Sequence, residues 1–362
     1  GITFENIAVT VENKTAAKIS GMMRGYRTPH TFLEISSEKA DILDVIRLFT
    51  GPQRIKQSNK SQNKAQLEIS ASVKQGSLGS FLFENAEATI KDRSNVFTLF
   101  PLDFNLGKGT ATGRVEIDKH RNNLLKISGQ AVNCDADSVY QMLFEKKGIF
   151  RGTLSGDFYI EGEETGKQFW KTSQGGGHLQ IRDGAMRDLK GFAQIFSLLN
   201  VSQLFTFSLP DMDNEGLPFS RLETSANITD GILHFDDFSI ISPAINISAV
   251  GQLNSLDQTI DSTLGIKPLR TVDIILSRVP LFGWVLTGDE EALITALFTL
   301  KGPAENPKVS ATPVSSVTKT ALGIIGRTLG LPFRMLQKTG EFLTTPPRPG
   351  ETLPSPNEET NN

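Results

Sequence analysis

The chain reads as a mainly β protein: a long, twisted, largely antiparallel sheet curled into a groove, with a few short helices at its edges and ends. Three observations predict this class. Strand-length segments alternate apolar and polar residues along nearly the whole sequence, Gly- and Asn-rich turns separate them, and helical patterns are few. Period two puts every apolar side chain of a strand on one face and every polar one on the other. A sheet built this way needs something to cover its apolar face, and few helices are on offer to do it. The question of function becomes what lies against that face.

The elements follow in order. A strand pattern opens the chain at Ile2, Phe4, Ile7, Val9 and Val11. Leu33-Glu34-Ile35-Ser36 then leads into Ala40-Asp41 and the apolar set Val45, Ile46, Leu48 and Phe49, a strand followed by a short amphipathic helix. The same motif returns as Leu125-Lys126-Ile127-Ser128, Ala136-Asp137 and Val139, Met142, Leu143, Phe144. In both copies an Asp sits where a helix N-terminus favours a carboxylate.

Clear alternation marks Leu67, Ile69, Ala71 and Val73 against Glu68, Ser70, Ser72 and Lys74. It marks Leu154, Gly156, Phe158 and Ile160 against Ser155, Asp157, Tyr159 and Glu161, and Ile245, Ile247, Ala249, Gly251 and Leu253 against Asn246, Ser248, Gln252 and Asn254. A longer repeat runs from Ala88-Thr89-Ile90-Lys91-Asp92 through Phe97, Leu99 and Phe104 to Gly113-Arg114-Val115. Its second copy runs from Ala226-Asn227-Ile228-Thr229-Asp230 through Ile232, Phe235 and Phe238 to Gly251-Gln252-Leu253. Such repeats build quasi-one-dimensional structures. Leu189 to Phe205 carries a helical stripe, an apolar cluster spans Ile274 to Leu286, and a last strand covers Ile294 to Leu300.

The end of the chain differs. Val317 to Phe342 is apolar and basic: Lys319, Arg327, Arg334 and Lys338 face a single acid, Glu341. Its glycines and Pro332 limit it to two short helices. From Thr344 onward the Pro-rich, polar composition reads as a disordered tail. The organisation is therefore a repetitive β-groove over residues 1–316, an amphipathic basic helical segment over 317–343 and a tail over 344–362.

Composition narrows the function. The 362 residues carry 37 Lys plus Arg against 40 Asp plus Glu, which leaves no basic stripe for nucleic acid. Phe (23) far outnumbers Tyr (3) and Trp (2), which suits a dry surface better than a hydrogen-bonding pocket. One cysteine, Cys134, allows neither an intrachain disulfide nor a thiolate metal site. No run reaches the roughly 18 apolar residues of a membrane span, and no signal peptide is visible. With Gly1 already in a strand pattern, the chain reads as a piece of a longer protein.

Catalytic constellations are wanting. His30, His120, His178 and His234 are scattered without a second ligand at helical or strand spacing. Gly162 to Lys167 is one residue short of a phosphate loop and lacks the following Ser or Thr. Gly107-Lys108-Gly109 reads as a hairpin. The Asp236-Asp237 pair is read as a turn between strands in preference to a metal or acid–base site. No nucleophile–base set can be assembled, so the chain reads as a non-enzyme that needs no cofactor and no metal.

A resemblance then emerges. Gly175-Gly176-Gly177-His178-Leu179-Gln180-Ile181-Arg182-Asp183-Gly184, with the helical candidate after it, resembles the C-terminal region of AsmA-like bacterial envelope proteins of the YhdP and TamB type. The Leu222–Gly251 meander is similar too. The strongest match is Val279-Pro280-Leu281-Phe282-Gly283-Trp284 with Leu286-Thr287-Gly288, then Phe298 to Pro303 and Asn306-Pro307-Lys308-Val309. The resemblance implies a bridge-like carrier that moves phospholipid along an apolar β-groove between the inner and outer membranes. It also implies a periplasmic location, with the parent protein anchored in the inner membrane by an N-terminal helix that this chain lacks.

On this reading the groove is lined by Leu67, Ile69, Val73, Val115, Ile117, Leu154, Phe158, Ile160, Ile245, Ile247 and Leu253. Leu322, Ile325, Arg327, Leu329, Phe333, Arg334 and Lys338 form a membrane-surface element. Two alternatives stay open: the last segment as a pair of helices capping the sheet, and the whole as an assembly factor for outer-membrane proteins that pairs clients to an edge strand.

Overall fold

The computed structural model describes residues 1–11, 15–25, 28–41, 66–78, 81–144, 147–163, 166–187, 216–243, 245–268, 284–285 and 295–330. The chain divides into one unit over Gly1–Leu329 and a second over Gly330–Asn362. The helical candidates after Asp41 and over Leu189–Phe205, the apolar cluster over 274–286 apart from Trp284 and Val285, the basic segment from residue 331 onward and the tail lie outside the described residues.

The first unit is a mainly β, largely antiparallel sheet, as the alternation predicts. Its strands are β1 (Ile2–Val11), β2 (Thr15–Arg24), β3 (His30–Asp41), β4 (Gln66–Leu78), β5 (Phe81–Arg93), β6 (Val96–Leu106), β7 (Gly109–Asp118), β8 (Leu124–Asp135) and β9 (Phe150–Gly162). They continue as β10 (Gln174–Met186), β11 (Leu217–Thr229), β12 (Ile232–Ile241), β13 (Ile245–Asn254), β14 (Thr259–Pro268), the two-residue β15 (Trp284–Val285), β16 (Thr295–Pro303) and β17 (Lys308–Ala311). Among the described residues three short α-helices accompany them: α1 (Ala136–Phe144), α2 (Lys167–Thr172) and α3 (Lys319–Gly330).

Each strand pairs with the next in sequence from β1 to β14, and β16 then takes the place beside β14 and carries β15 and β17. The β3–β4 pair is parallel, Leu33 lying beside Ile69, and every other pair is antiparallel. The sheet is not closed into a barrel. Tight turns join the strands where the sequence places them. Gly107, at a positive φ of 61°, and Lys108 form the two-residue hairpin between β6 and β7.

Strand parity slips at several places without mixing the faces. Asn85, Asn133 and Asp183 adopt positive φ inside β5, β8 and β10, and the ladders shift register beside each of them. Two consecutive outward residues at such a bulge let the apolar set resume on the same side with opposite parity. Asp236-Asp237 belongs to the same class. The pair lies within β12 at a register shift between Phe235 and Phe238, not in a turn between strands. Asp237 Oδ1 accepts the Ser225 backbone N–H at 2.6 Å, which satisfies a donor that the bulge frees from the ladder.

Two clusters hold the apolar face. One spans β9 to β16 and includes Leu154, Ile181, Leu222, Ile240, Ile247 and Ile266. The other gathers Phe81, Phe83, Leu106, Ala111 and Cys134 beneath Val139 and Met142 of α1. Asp135 caps α1, accepting the Ser138 backbone N–H at 2.8 Å, while Asp137 in the first turn accepts from the Gly148 N–H at 2.7 Å. A third, smaller cluster lies on the opposite face, where Val250 and Leu297 meet Ile325 and Leu329 of α3.

Candidate functional site

Following the register from strand to strand places all eleven groove candidates on one face. Leu67, Ile69 and Val73 of β4 stand opposite Asp92, Ile90 and Ala86 of β5, and the side continues through Leu99 to Val115, with Phe97 opposite Ile117. Val115 leads to Ile127 and on to Ile160, while Gly129 leads to Phe158 and Cys134 to Leu154. Leu154 pairs with Ile181, Ile181 with Leu222, Leu222 with Ile240 and Ile240 with Ile247; Leu253 lies opposite Leu233 on the same side.

The face is not uniform along the strands. Leu154, Ile245 and Ile247 are buried in the packed part of the sheet and Ile69 is buried between Leu33 and Ile90, so none of the four has surface to offer a ligand. Leu67, Val73, Val115, Ile117, Ile160 and Leu253 are half-buried, and Phe158 is 46% exposed. Ile90, Phe97, Leu99 and Ile127, absent from the sequence-based set, are half-buried on the same stretch. The open part of the face is thus the middle of β4 to β9.

Two helices bound it. α1 leaves the end of β8 and covers Leu106, Ala111 and Cys134. At the other end of β9, Phe169 of α2 sits on Gly162; a Cβ there would lie 2.8 Å from Phe169 Cδ2. From Leu154 to Gly162 is eight residues, about 26 Å of strand. Between the two helices the floor is low. Phe158 lies against Gly129 and Gly177, since a Cβ on Gly129 would meet Phe158 Cε1 at 2.8 Å and one on Gly177 would meet Phe158 Cβ at 2.9 Å.

The reverse face carries the charge. Glu68 pairs with Lys91 and Arg93, Arg114 with Glu116, Lys126 with Glu161 at 3.9 Å, and Glu223 with Arg221 and His178 at 3.5 Å each. Partial burial pushes Glu68 up, but the hydrogen bonds and charges of Lys91 and Arg93 outweigh it and hold its carboxyl below the ordinary range. Burial pushes the Cys134 thiol up. These ion pairs keep one side of the sheet wet while the other offers mainly hydrocarbon and glycine between α1 and α2, with Asp92, paired to Lys119 at 3.3 Å, at its margin.

The membrane-surface candidates separate. Ile325 is 2% and Leu329 5% exposed, both turned onto the sheet, whereas Leu322 is half-buried and Arg327 exposed. Phe333, Arg334 and Lys338 lie outside the described residues. Of the histidines, His178 joins the ion-pair face, His120 contacts Ser94 O in a turn, and His234 is an exposed strand residue. Among the described residues no cluster of His, Cys, Asp or Glu is placed to hold a metal ion, and no helix is long and apolar enough to cross a membrane. Comparison with protein-family models, curated proteins and solved structures finds no match, so the AsmA-like resemblance rests on the residues quoted for it above.

Proposed function

We propose that the chain binds acyl lipid, phospholipid above all, on the open apolar face of β4 to β9 and passes it across the strands. The observation that carries this reading is the two-sidedness of one continuous sheet. Ion pairs fill one face, while Val115, Ile127, Phe158 and Ile160 stay partly in water on the other. Exposed apolar surface is unfavourable by roughly 25 cal/mol per Å², and acyl chains laid on it remove that penalty and leave headgroups at the margin. With the AsmA-like resemblance, the reading becomes phospholipid transfer between the inner and outer membranes by a periplasmic segment of an anchored protein.

A photo-crosslinking amino acid tests it. Placed at Ile160 on the open face, it is expected to capture lipid in cells; placed at Lys126 on the reverse face, it is expected to capture none. Equal capture at both sites, or none at Ile160, refutes the proposal. One observation favours a second reading as an assembly factor. β1 pairs only with β2 among the described residues, and Ile2 is 65% exposed, so its free edge is a template for a client strand. Crosslinks from β1 to outer-membrane proteins, with no lipid at Ile160, would favour that reading.

A further inference from the structure

We propose that α3 is a detachable latch, whose apolar side leaves the sheet and enters an anionic lipid surface. The proposal extends the lipid-handling reading by naming the element that meets the membrane.

The seat of α3 is narrow. Ile325 and Leu329 rest on Val250 and Leu297, a cluster separate from the core on the opposite face. β13, β14 and β16 are held by their own ladders and by that core. Release of α3 therefore uncovers two apolar side chains and leaves the sheet standing. The first half of the helix is only partly seated: Val317 just ahead of it, Ala321, Leu322 and Ile324 pack at the margin of the cluster and stay half-buried. Beside it lies an open cleft of about 320 Å³, lined by Thr318, Thr320, Ala321 and Ile324 of the helix segment and by His234, Asp236, Gln252 and Asp261 of β12 to β14.

The helix is also weak in itself. Gly323 and Gly326 are exposed, and a Cβ at either would meet nothing within 4 Å. No packing constraint calls for glycine there, yet glycine inside a helix is unfavourable relative to alanine. The seat holds the helix together, and another apolar surface can do the same.

Charge identifies that surface. Lys319 and Arg327 are exposed on α3, and the sequence from Val317 to Gly340 holds four cations and no carboxylate. In the seated state Asp236, with Asp261 already paired to Lys301 at 3.1 Å, lines the cleft beside the positive N-terminal half. Anionic headgroups offer the same complement in greater density, and an acyl layer accepts Ile325 and Leu329.

A reversible lock tests this. Cysteines replace Val250 and Ile325 in one variant, Leu297 and Leu329 in another, and oxidation ties helix to sheet in the full chain; Cys134 is fully buried and does not compete. Vesicles of phosphatidylcholine and phosphatidylglycerol are the probe. Oxidised protein is expected to co-sediment at least about tenfold less than the same protein reduced. A melting temperature no lower than that of the reduced form confirms the fold. Equal binding in both states, or no binding by the reduced form, overturns the latch. Lipid carried on the open face, read by native mass spectrometry, is expected in both states. Its absence from both would refute the proposed function, a result distinct from unchanged vesicle binding.

Discussion

A charge placed on the apolar face separates open surface from sealed core. Ile247 has 0% exposure and lies between Ile240 and Ile266, also at 0%. Shrinking such a residue costs about 2–5 kcal/mol, and burying an unpaired carboxylate adds several more. Ile247→Asp therefore approaches the whole stability of an ordinary domain, roughly 5–15 kcal/mol. Phe158 is different. A phenylalanine buries about 150–250 Å² when fully covered, so at 46% exposure it covers roughly 100 Å². That is worth about 2.5 kcal/mol, and the aliphatic stem of an arginine retains part of it while the guanidinium reaches water. Phe158→Arg is expected to cost about 1–2 kcal/mol, to move the urea midpoint modestly with an unchanged slope, and to strip bound lipid. Ile247→Asp is expected to be insoluble or unfolded. If Phe158→Arg unfolds as Ile247→Asp does, the face is a sealed core. If it folds and carries as much lipid as the parent chain, the lipid lies elsewhere.

Other expectations follow from single contacts. Gly129→Ala is expected to destabilise by about 1–3 kcal/mol because the new methyl meets the Phe158 ring; adding Phe158→Ala should recover part of that loss in a double-mutant cycle, and strictly additive effects would refute the contact. Cys134, fully buried and with its thiol pushed up by burial, is expected to resist a thiol reagent in the folded protein and react at once in urea; fast labelling without denaturant would refute the α1 cover. Glu68 titrates below its ordinary range when folded, so its stabilising contribution is present above the ordinary carboxylate pKa and lost as pH falls through the folded value. Glu68→Gln should therefore flatten the acid side of the stability–pH curve, by less than about 1 kcal/mol for so exposed a network, and an unchanged acid limb would refute the pairing.

What the sequence made legible is what has a period. Alternation alone puts Leu67, Val115, Ile160 and Leu253 on the apolar side of their own strands, because a strand side chain has only two directions. The repeat was legible for the same reason: Ala88 to Gly113 and Ala226 to Gly251 both fold as three-stranded meanders, β5 to β7 and β11 to β13, with a register shift in the middle strand of each. Bulges were not legible. A bulge needs one residue that tolerates positive φ, and Asn85, Asn133 and Asp183 are the residue types that turns also use, so composition does not separate the two. Asp236-Asp237 reads as a turn for the same reason, and lies at a bulge. The parallel β3–β4 pair was illegible because strand direction leaves no mark on alternation.

Cover was illegible in a deeper sense. Ile247 and Ile160 have the same neighbours in pattern, apolar two residues away and polar in between, yet one is sealed and the other half-open. The difference is one of packing: Ile247 sits inside the cluster that spans β9 to β16, whereas Ile160 stands on the stretch between α1 and α2, and nothing in the alternation of a single strand encodes which of the two it meets. The same holds for α3. Its sequence is amphipathic whichever surface it meets, and the sheet takes Ile325 and Leu329 where Val250 and Leu297, two of the apolar residues on the polar face, stand beneath them. Val250 and Leu297 stand in the alternation as apolar residues out of phase, and adjacent strands that carry such residues side by side offer a second element a seat on the wet side.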